Sequence, residues 1–508
     1  MERPDRVTRV KTLEPIRFLS WEEMQRIHDA AKQILEEVGM EIRSHRALDY
    51  LADAGCRIDR NRWRVTFPEE YVEACVARMR KQFADPERVP RRMSVRYAHV
   101  RFSSEKLQIH PDFSLSAGGF CCFTTGLDGR KRRATMEDVR KAILLADQLE
   151  GITSTGLPCS AQEVPPVLRP VKMAAELARA TTKLGGVETF TVRDVHYITR
   201  IAEIVAGGPQ LLRQRPVLVG YAEVRSPLCL DENMAEILIE YVRLGLPQSL
   251  DTMPCTGTTA PGTLAGTLAL GVAETLAGLC LGYAVDRNAV MTVDITPSFA
   301  DPRTLLWDYG SIVRGRWLAT RVQMISEFYG CPSGVHGAKT NSCFVDMQTG
   351  IDKTATTLLP VLAGAVGIGT CGHLENALTF CPEQLVIDAE IAEAVRHLLR
   401  DVTVDEESLG LAAIRRVGPG GNFLTDDHTL DHFLNEIRPS RLFECYAWET
   451  GHGAADWESV VERARRIAHG LMEKEPRRVL SREQEKQIDE VVQEAAAEFG
   501  VEDPYPWF

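Results

Sequence analysis

The 508-residue chain has no Cys-x-x-Cys pair among its 13 cysteines, no excess of positive charge and no uninterrupted apolar run long enough to span a bilayer. Each absence excludes a class of protein. Without paired cysteine spacing there is no zinc ribbon or dithiol motif, so the cysteines read as reduced, buried, small hydrophobes. Lys+Arg of 59 against Asp+Glu of 71 leaves a net charge of -12, which argues against a general nucleic-acid surface because phosphate binding needs clustered cations. The basic run RKRR from Arg130 follows a GLDG turn and reads as a solvated loop. The longest apolar stretch, Leu264 to Val285, is broken by Glu274 and several glycines, and the N-terminus lacks the apolar segment of a signal peptide. A cytoplasmic protein is expected. Aromatics are few at 7%, yet a hydrophobic content of 44% is ordinary for a globular chain with a large core.

What is present is an alternation. Eight short β-type runs start at Ser114, Gly151, Gly185, Pro216, Gln248, Ala289, Ser333 and Gly364, roughly 30 to 45 residues apart, with amphipathic or apolar helical stretches between them. That spacing is a strand plus a crossover helix. Eight such units fit a (β/α)8 TIM barrel better than an open doubly wound sheet, and no GxGxxG or P-loop follows any strand to support a nucleotide-binding fold. The expected organisation is an N-terminal helical cap over 1–110, the barrel over 111–400 and a C-terminal helical extension over 401–508. The last helix, SREQEKQIDEVVQEAAAEFG, is expected to be exposed with few core positions.

In such barrels the active site lies at the C-terminal strand ends. Those ends carry Glu188, Tyr221 with Glu223, Asp251, Asp294, the group His336, Lys339 and Asn341, and His373 with Glu375. Glu274 is a separate signal. It is the only charged residue in TLAGTLALGVAETLAGLCLGYAV, and a carboxylate on an apolar helix must be paired, protonated or facing a polar cavity. That makes it the candidate catalytic carboxylate, with a buried structural role as the alternative. His428 and His432 share one helix face by their i, i+4 spacing, but no third ligand stands out, and no bound metal is expected.

The segments FLSWEEMQRIHDAAKQILEEVGM, DGRKRRATMEDVRKAILLADQLE, EFYGCPSGVHGAK, TTLLPVLAGAVGI, LTFCPEQLVIDAEI and VGPGGNFLTDDHTLDHF together resemble the corrinoid-dependent trimethylamine methyltransferase superfamily, in particular its members without pyrrolysine. The resemblance covers nearly the whole chain. It implies a (β/α)8 barrel, a pocket at the barrel mouth, and methyl transfer from an amine to the cobalt of a small corrinoid-binding protein. No tightly bound cofactor is expected on this chain: the DxHxxG signature of a cobalamin domain is absent, so the corrinoid arrives on a partner. Lys339 in HGAKTNS stands at the position the resemblance gives to pyrrolysine. An ordinary lysine lacks the electrophilic imine used on a tertiary amine, which turns the expectation towards a quaternary amine such as glycine betaine, proline betaine or carnitine. Glu188, Tyr221, Asp251 and Glu274 are then candidates to hold the cation, and His336, Lys339 and Asn341 to hold the anionic end, with Asp294 and Glu375 also facing the substrate. Two alternatives remain open: another methylated donor, or a betaine-binding protein without activity. A homo-oligomer is compatible with either.

Overall fold

The structure, a computed structural model, describes residues 13–84, 107–126, 128–445 and 458–505. Helix α1 (Trp21–Gln33) begins at a capping box in which Ser20 and Glu23 each accept the other's backbone N–H. Together with the helices His45–Asp53 and Glu69–Ala84 it packs on α2 (Leu264–Val285). Among the described residues α2 is the one helix long and apolar enough to cross a membrane by length and composition, and most of it is buried. A helix covered on all sides has no polar face to keep, which is why its sequence is apolar all round. The cap is not wholly helical as expected. The strand Met40–Ile42 pairs antiparallel with Arg64–Thr66 and parallel with Cys229–Leu230, tying the N-terminal region to the centre of the chain.

Six of the eight expected strands form: β1 (Ser114–Ala117), β2 (Ser154–Thr155), β3 (Ala222–Glu223), β4 (Leu250–Asp251), β5 (Gly334–Val335) and β6 (Gly367–Cys371). Of the other two runs, that from Ala289 contributes a single parallel bridge, Met291 to Gln248, and that from Gly185 is preceded by one, Leu184 to Thr155. All these pairings are parallel, and they make two arcs. In one, β5, β6, β1, β2 and the Leu184 run follow in order; in the other, β3, β4 and the Met291 run. The eighth run therefore pairs with the first. The GxGxxG spacing at Gly367 to Gly372 coincides with β6 itself rather than with a turn into a helix, so it cradles no phosphate in the Rossmann manner.

Side chains take up backbone groups where the strands are short. Within the second arc Gly220 donates its N–H to Tyr241 Oη (3.0 Å), and its carbonyl accepts from Gln248 Nε2 (3.0 Å). Between the Met291 run and β5 the Gly334 carbonyl accepts from Arg321, which also pairs with Asp294. Side chains satisfy backbone groups that a neighbouring strand would otherwise take. Helix α3 (Ile312–Val322) lies against α4 (Met347–Leu362), and α5 (Pro382–Leu398) carries Asp388, whose carboxylate pairs with the fully buried Lys353 of α4 at 2.7 Å.

The C-terminal helix Arg482–Phe499 departs from expectation. Ile488, Val491, Val492, Ala495 and Ala496 make a buried stripe, and the helix packs on Arg169–Ala180 and Val192–Ala206. Their spacing is the i, i+3, i+4, i+7, i+8 pattern of a core-facing helix. Beyond it Lys172 Nζ reaches Asp503 at 2.8 Å, and Tyr505 Oη donates to Glu163 at 2.9 Å.

Candidate active site

At the ends of β3 and β4, Glu223 and Asp251 are register partners, so a parallel pair sets two carboxylates side by side. Glu188, at the end of the third run, and Tyr221 share their field. Burial, reinforced by Glu223, pushes the Glu188 carboxyl up to about 8. Burial and then Asp294 push Asp251 up to about 8, opposed by a 2.5 Å hydrogen bond from Ser249 Oγ. Glu223 is raised by burial, although its side chain is water-accessible. A carboxylate both reached by water and crowded by protein lines a recess rather than a convex surface. Among the described residues no hydrogen bond or ion pair engages Glu188 or Glu223, and the one cation that opposes the shift of Glu188, Arg169, acts through space. This wall is short of positive charge.

A second, cationic wall follows β5. His336 is held down to about 3 by burial and by the cations Lys339, Arg321 and Arg314, so its ring is neutral at physiological pH. Lys339 is 5% exposed, and burial lowers its amine to about 7. Its Nζ stands 4.9 Å over the ring of Tyr309. Two contacts fix that ring. Asn341 Oδ1 accepts the Tyr309 N–H at 2.9 Å, and Gly310 lets the two loops touch, since a Cβ there would fall 2.2 Å from Thr340 Cα. Tyr309 Oη lies 3.6 Å from Met253 Sδ, and its phenol feels Glu223, so this ring reaches from the cationic wall towards the acidic one.

The structure thus gathers Glu188, Tyr221, Glu223 and Asp251 into one group and His336 and Lys339 into another. It assigns the remaining candidates elsewhere. Asn341 spends its carbonyl oxygen on positioning Tyr309. Asp294 is paired with the buried Arg321, which anchors the Gly334 carbonyl. Glu375 is held by Lys131 Nζ (2.5 Å) and Thr379 Oγ1 (2.7 Å), an outer-loop ion pair that takes no part in either wall. His373 is fully buried against Gly119, where a Cβ would come within 2.2 Å of its Cε1.

Of the two roles expected for Glu274, the catalytic carboxylate and the buried structural one, its contacts are those of a structural clamp. It is 0% exposed and accepts from Leu228 N (2.8 Å), Ser226 Oγ (2.8 Å) and Thr252 Oγ1. The lone charge on an apolar helix is therefore satisfied by donors from the loop it pins. Glu274→Gln keeps an oxygen for Leu228 N–H and lets both hydroxyls turn to accept, so less than about 1 kcal/mol of stability is expected to go. Glu274→Leu strands that N–H and costs about 1–3 kcal/mol. Urea unfolding measures both, and impaired transfer by a stable Glu274→Gln variant would return the residue to the chemistry.

No group of three or more His, Cys, Asp or Glu side chains able to hold a metal occurs among the described residues. The rings of His428 and His432 lie 4.5 Å apart, with His428 Nε2 on the Glu407 carbonyl at 2.9 Å. The RKRR run is exposed as expected, but it is not wholly a loop: Arg132–Arg133 pair antiparallel with Phe123–Thr124, and Arg132 pairs with Asp138. An apolar groove of about 520 Å³ between α4, α5 and the helix Val460–Met472 is lined by residues such as Leu358, Ile387 and Phe443, and its one carboxylate, Asp346, already caps α4. It carries no acid-base chemistry.

A parallel α/β chain with an acidic and a cationic wall at its strand ends has the makings of a group-transfer enzyme for a small charged donor. The sequence profile of the trimethylamine methyltransferase (MTTB) family matches residues 2–500, and the chain belongs to that family of methyltransferases. It is 28% identical over 437 residues to a glycine betaine methyltransferase of Desulfitobacterium hafniense strain Y51, covering 85% of this chain and 88% of the relative. It is 26% identical over 486 residues to a trimethylamine methyltransferase of Desulfitobacterium hafniense strain DSM 10664 / DCB-2, covering 94% of each. A trimethylamine methyltransferase of Methanosarcina thermophila is 29% identical over 422 residues, 79% of this chain and 82% of that one.

Proposed function

We propose that this methyltransferase takes a methyl group from a quaternary ammonium that also carries a carboxylate, a betaine, and passes it to the Co(I) corrinoid of a separate protein. The observation that carries the reading is the polarity of the site: Glu188, Glu223 and Asp251 on one wall, Lys339 with neutral His336 on the other. A zwitterion complements both walls at once. We also read the two parallel arcs as halves of one (β/α)8 barrel, with Arg321 joining Asp294 of one arc to Gly334 of the other, which puts both walls at one mouth.

The chemistry asks little of acid or base groups. The bond between nitrogen and one methyl carbon breaks, its electron pair stays on nitrogen, and the methyl carbon takes up the electron pair of Co(I). A neutral tertiary amine leaves, so no general acid is needed. What the chain supplies is orientation and dehydration. The acidic wall and the face of Tyr221 hold the ammonium, and the cationic wall holds the carboxylate, leaving one methyl to point outward. Lys339, without an imine, is free to act as a charge.

The test is conversion of Co(I) to methyl-cobalt, followed by absorbance, with glycine betaine, proline betaine, carnitine, choline and trimethylamine as donors and a corrinoid protein as acceptor. A carboxylated quaternary amine is expected to give the highest kcat/KM. Activity with trimethylamine alone would overturn the reading, and binding of betaines without transfer would favour a non-catalytic binding protein.

A further inference from the structure

Four cationic side chains are buried around β5 and β6, and they fall into two kinds. Arg321 has Asp294, and Lys353 has Asp388 at 2.7 Å. Arg314 and Lys339 have no carboxylate partner among the described residues. Arg314 is the more extreme of the two. It is 0% exposed, and none of its three guanidinium nitrogens has a hydrogen-bond acceptor. It lies in the first turn of α3, where the helix dipole is positive, which makes an unpaired cation still less at home. Asp308 acts on it only through space, since Asp308 Oδ1 accepts from the N–H groups of Gly310 (3.1 Å) and Ser311 (3.0 Å). A buried guanidinium without a counter-charge bears a desolvation cost that nothing around it offsets.

Both cations meet at one ring. The guanidinium carbon of Arg314 is 5.6 Å and Lys339 Nζ 4.9 Å from the centroid of Tyr309. The ring's negative faces offset part of the charge but supply no hydrogen-bond acceptor. Two uncompensated positive charges beside one side chain describe a subsite that its ligand completes. Lys339 retains some exposure where Arg314 has none, so Lys339 is the head group an anion meets first and Arg314 the charge that reinforces it from behind.

We infer that Arg314, Lys339 and Tyr309 form the carboxylate subsite of the methyl donor, with Arg314 as the residue that makes the site select a zwitterion over a plain cation. The inference rests on the reading that the donor is a betaine. His336 and Asn341, whose position in sequence suggested the same role, are supporting members: one ring is neutral, and the other side chain's oxygen is engaged on Tyr309. Arg314 is a positioning residue here, acting through Lys339 and the field at the subsite.

Two measurements on the intact enzyme test it. In the first, transfer kinetics with glycine betaine and with choline are compared for Arg314→Met and Arg314→Lys. Arg314→Met is expected to raise KM for glycine betaine roughly 10- to 100-fold with kcat little changed, while KM for choline stays within about threefold or falls, and Arg314→Lys restores most of the loss. In the second, acetate binding is followed by titration calorimetry, which needs neither ammonium nor corrinoid. Wild-type protein is expected to bind acetate at least about tenfold more tightly than Arg314→Met or Lys339→Met, and Lys339→Met carries the comparison if Arg314→Met does not fold. Equal loss with betaine and choline, or acetate binding indifferent to both substitutions, overturns the subsite. Acetate binding that depends on Arg314 in a protein that transfers methyl from no betaine leaves the subsite standing and overturns the donor instead.

Discussion

Glu188→Gln and Glu223→Gln should each raise KM for every quaternary ammonium donor, carboxylated or not, by roughly 10- to 100-fold, the worth of about 1.5–3 kcal/mol for one charged contact. The same substitution should make the folded protein more stable. Glu188 has its folded-state pKa raised from 4.5 to about 8, so its ionised form is penalised by the fold. The penalty is absent below about pH 4.5 and full above about pH 8, because between those values the native state holds a proton that the unfolded state has released. Glu188→Gln therefore gains little stability at pH 5 and most at pH 8, where melting temperatures measured side by side would show it. Lower activity with higher stability is the mark of a carboxylate kept for its ligand. A variant that lost stability at pH 8 would place Glu188 among the structural acids with Glu274.

That contrast marks how far the sequence could be read. The eight-run spacing located every strand or bridge in the parallel arcs, since a period-2 run and a crossover helix are both local patterns. That Glu188, Tyr221, Glu223 and Asp251 lie near one another followed from their places at successive strand ends. Glu274 did not, because a lone carboxylate on an apolar helix looks the same whether it faces a cavity or three donors. Its donors, Ser226, Leu228 and Thr252, come from distant segments that only the fold brings near. Tyr309 and Arg314 went unremarked for a related reason. They follow the excursion through Ser298–Ala300 and Trp307–Asp308, past the point where the sixth run seemed to end. A signal was there: Arg314, Leu318, Arg321 and Ile325 fall on one buried stripe, and arginine twice on such a stripe asks the same question as Glu274 on α2. The terminal helix was underestimated because alanines fill part of its stripe, and small apolar residues weaken a pattern read by bulk.

The pH dependence of binding separates the two walls without any substitution. A plain cation such as choline meets only the acidic wall, where Glu188 and Asp251 titrate near 8. Its affinity should rise steadily from pH 6 to pH 9 as those groups ionise. A betaine also needs Lys339 charged, and the lysine amine has been lowered from 10.5 to about 7, so its carboxylate loses that partner as pH climbs past 7. Betaine affinity should therefore pass through a maximum between the two values and fall on the alkaline side where choline still improves. Lys339→Met removes the alkaline limb. Its KM for glycine betaine is expected to be raised roughly 10- to 150-fold near pH 7, the loss of one charge-assisted hydrogen bond, and its pH profile should take on the shape of the choline curve. The fold responds in the opposite sense: a depressed lysine costs stability most below about pH 7 and not at all above about 10.5, so Lys339→Met should be more stable than the parent at pH 6. If kcat fell by orders of magnitude for choline and betaine alike, with KM and the pH profile unchanged, Lys339 would belong to the transfer step and not to recognition of the carboxylate.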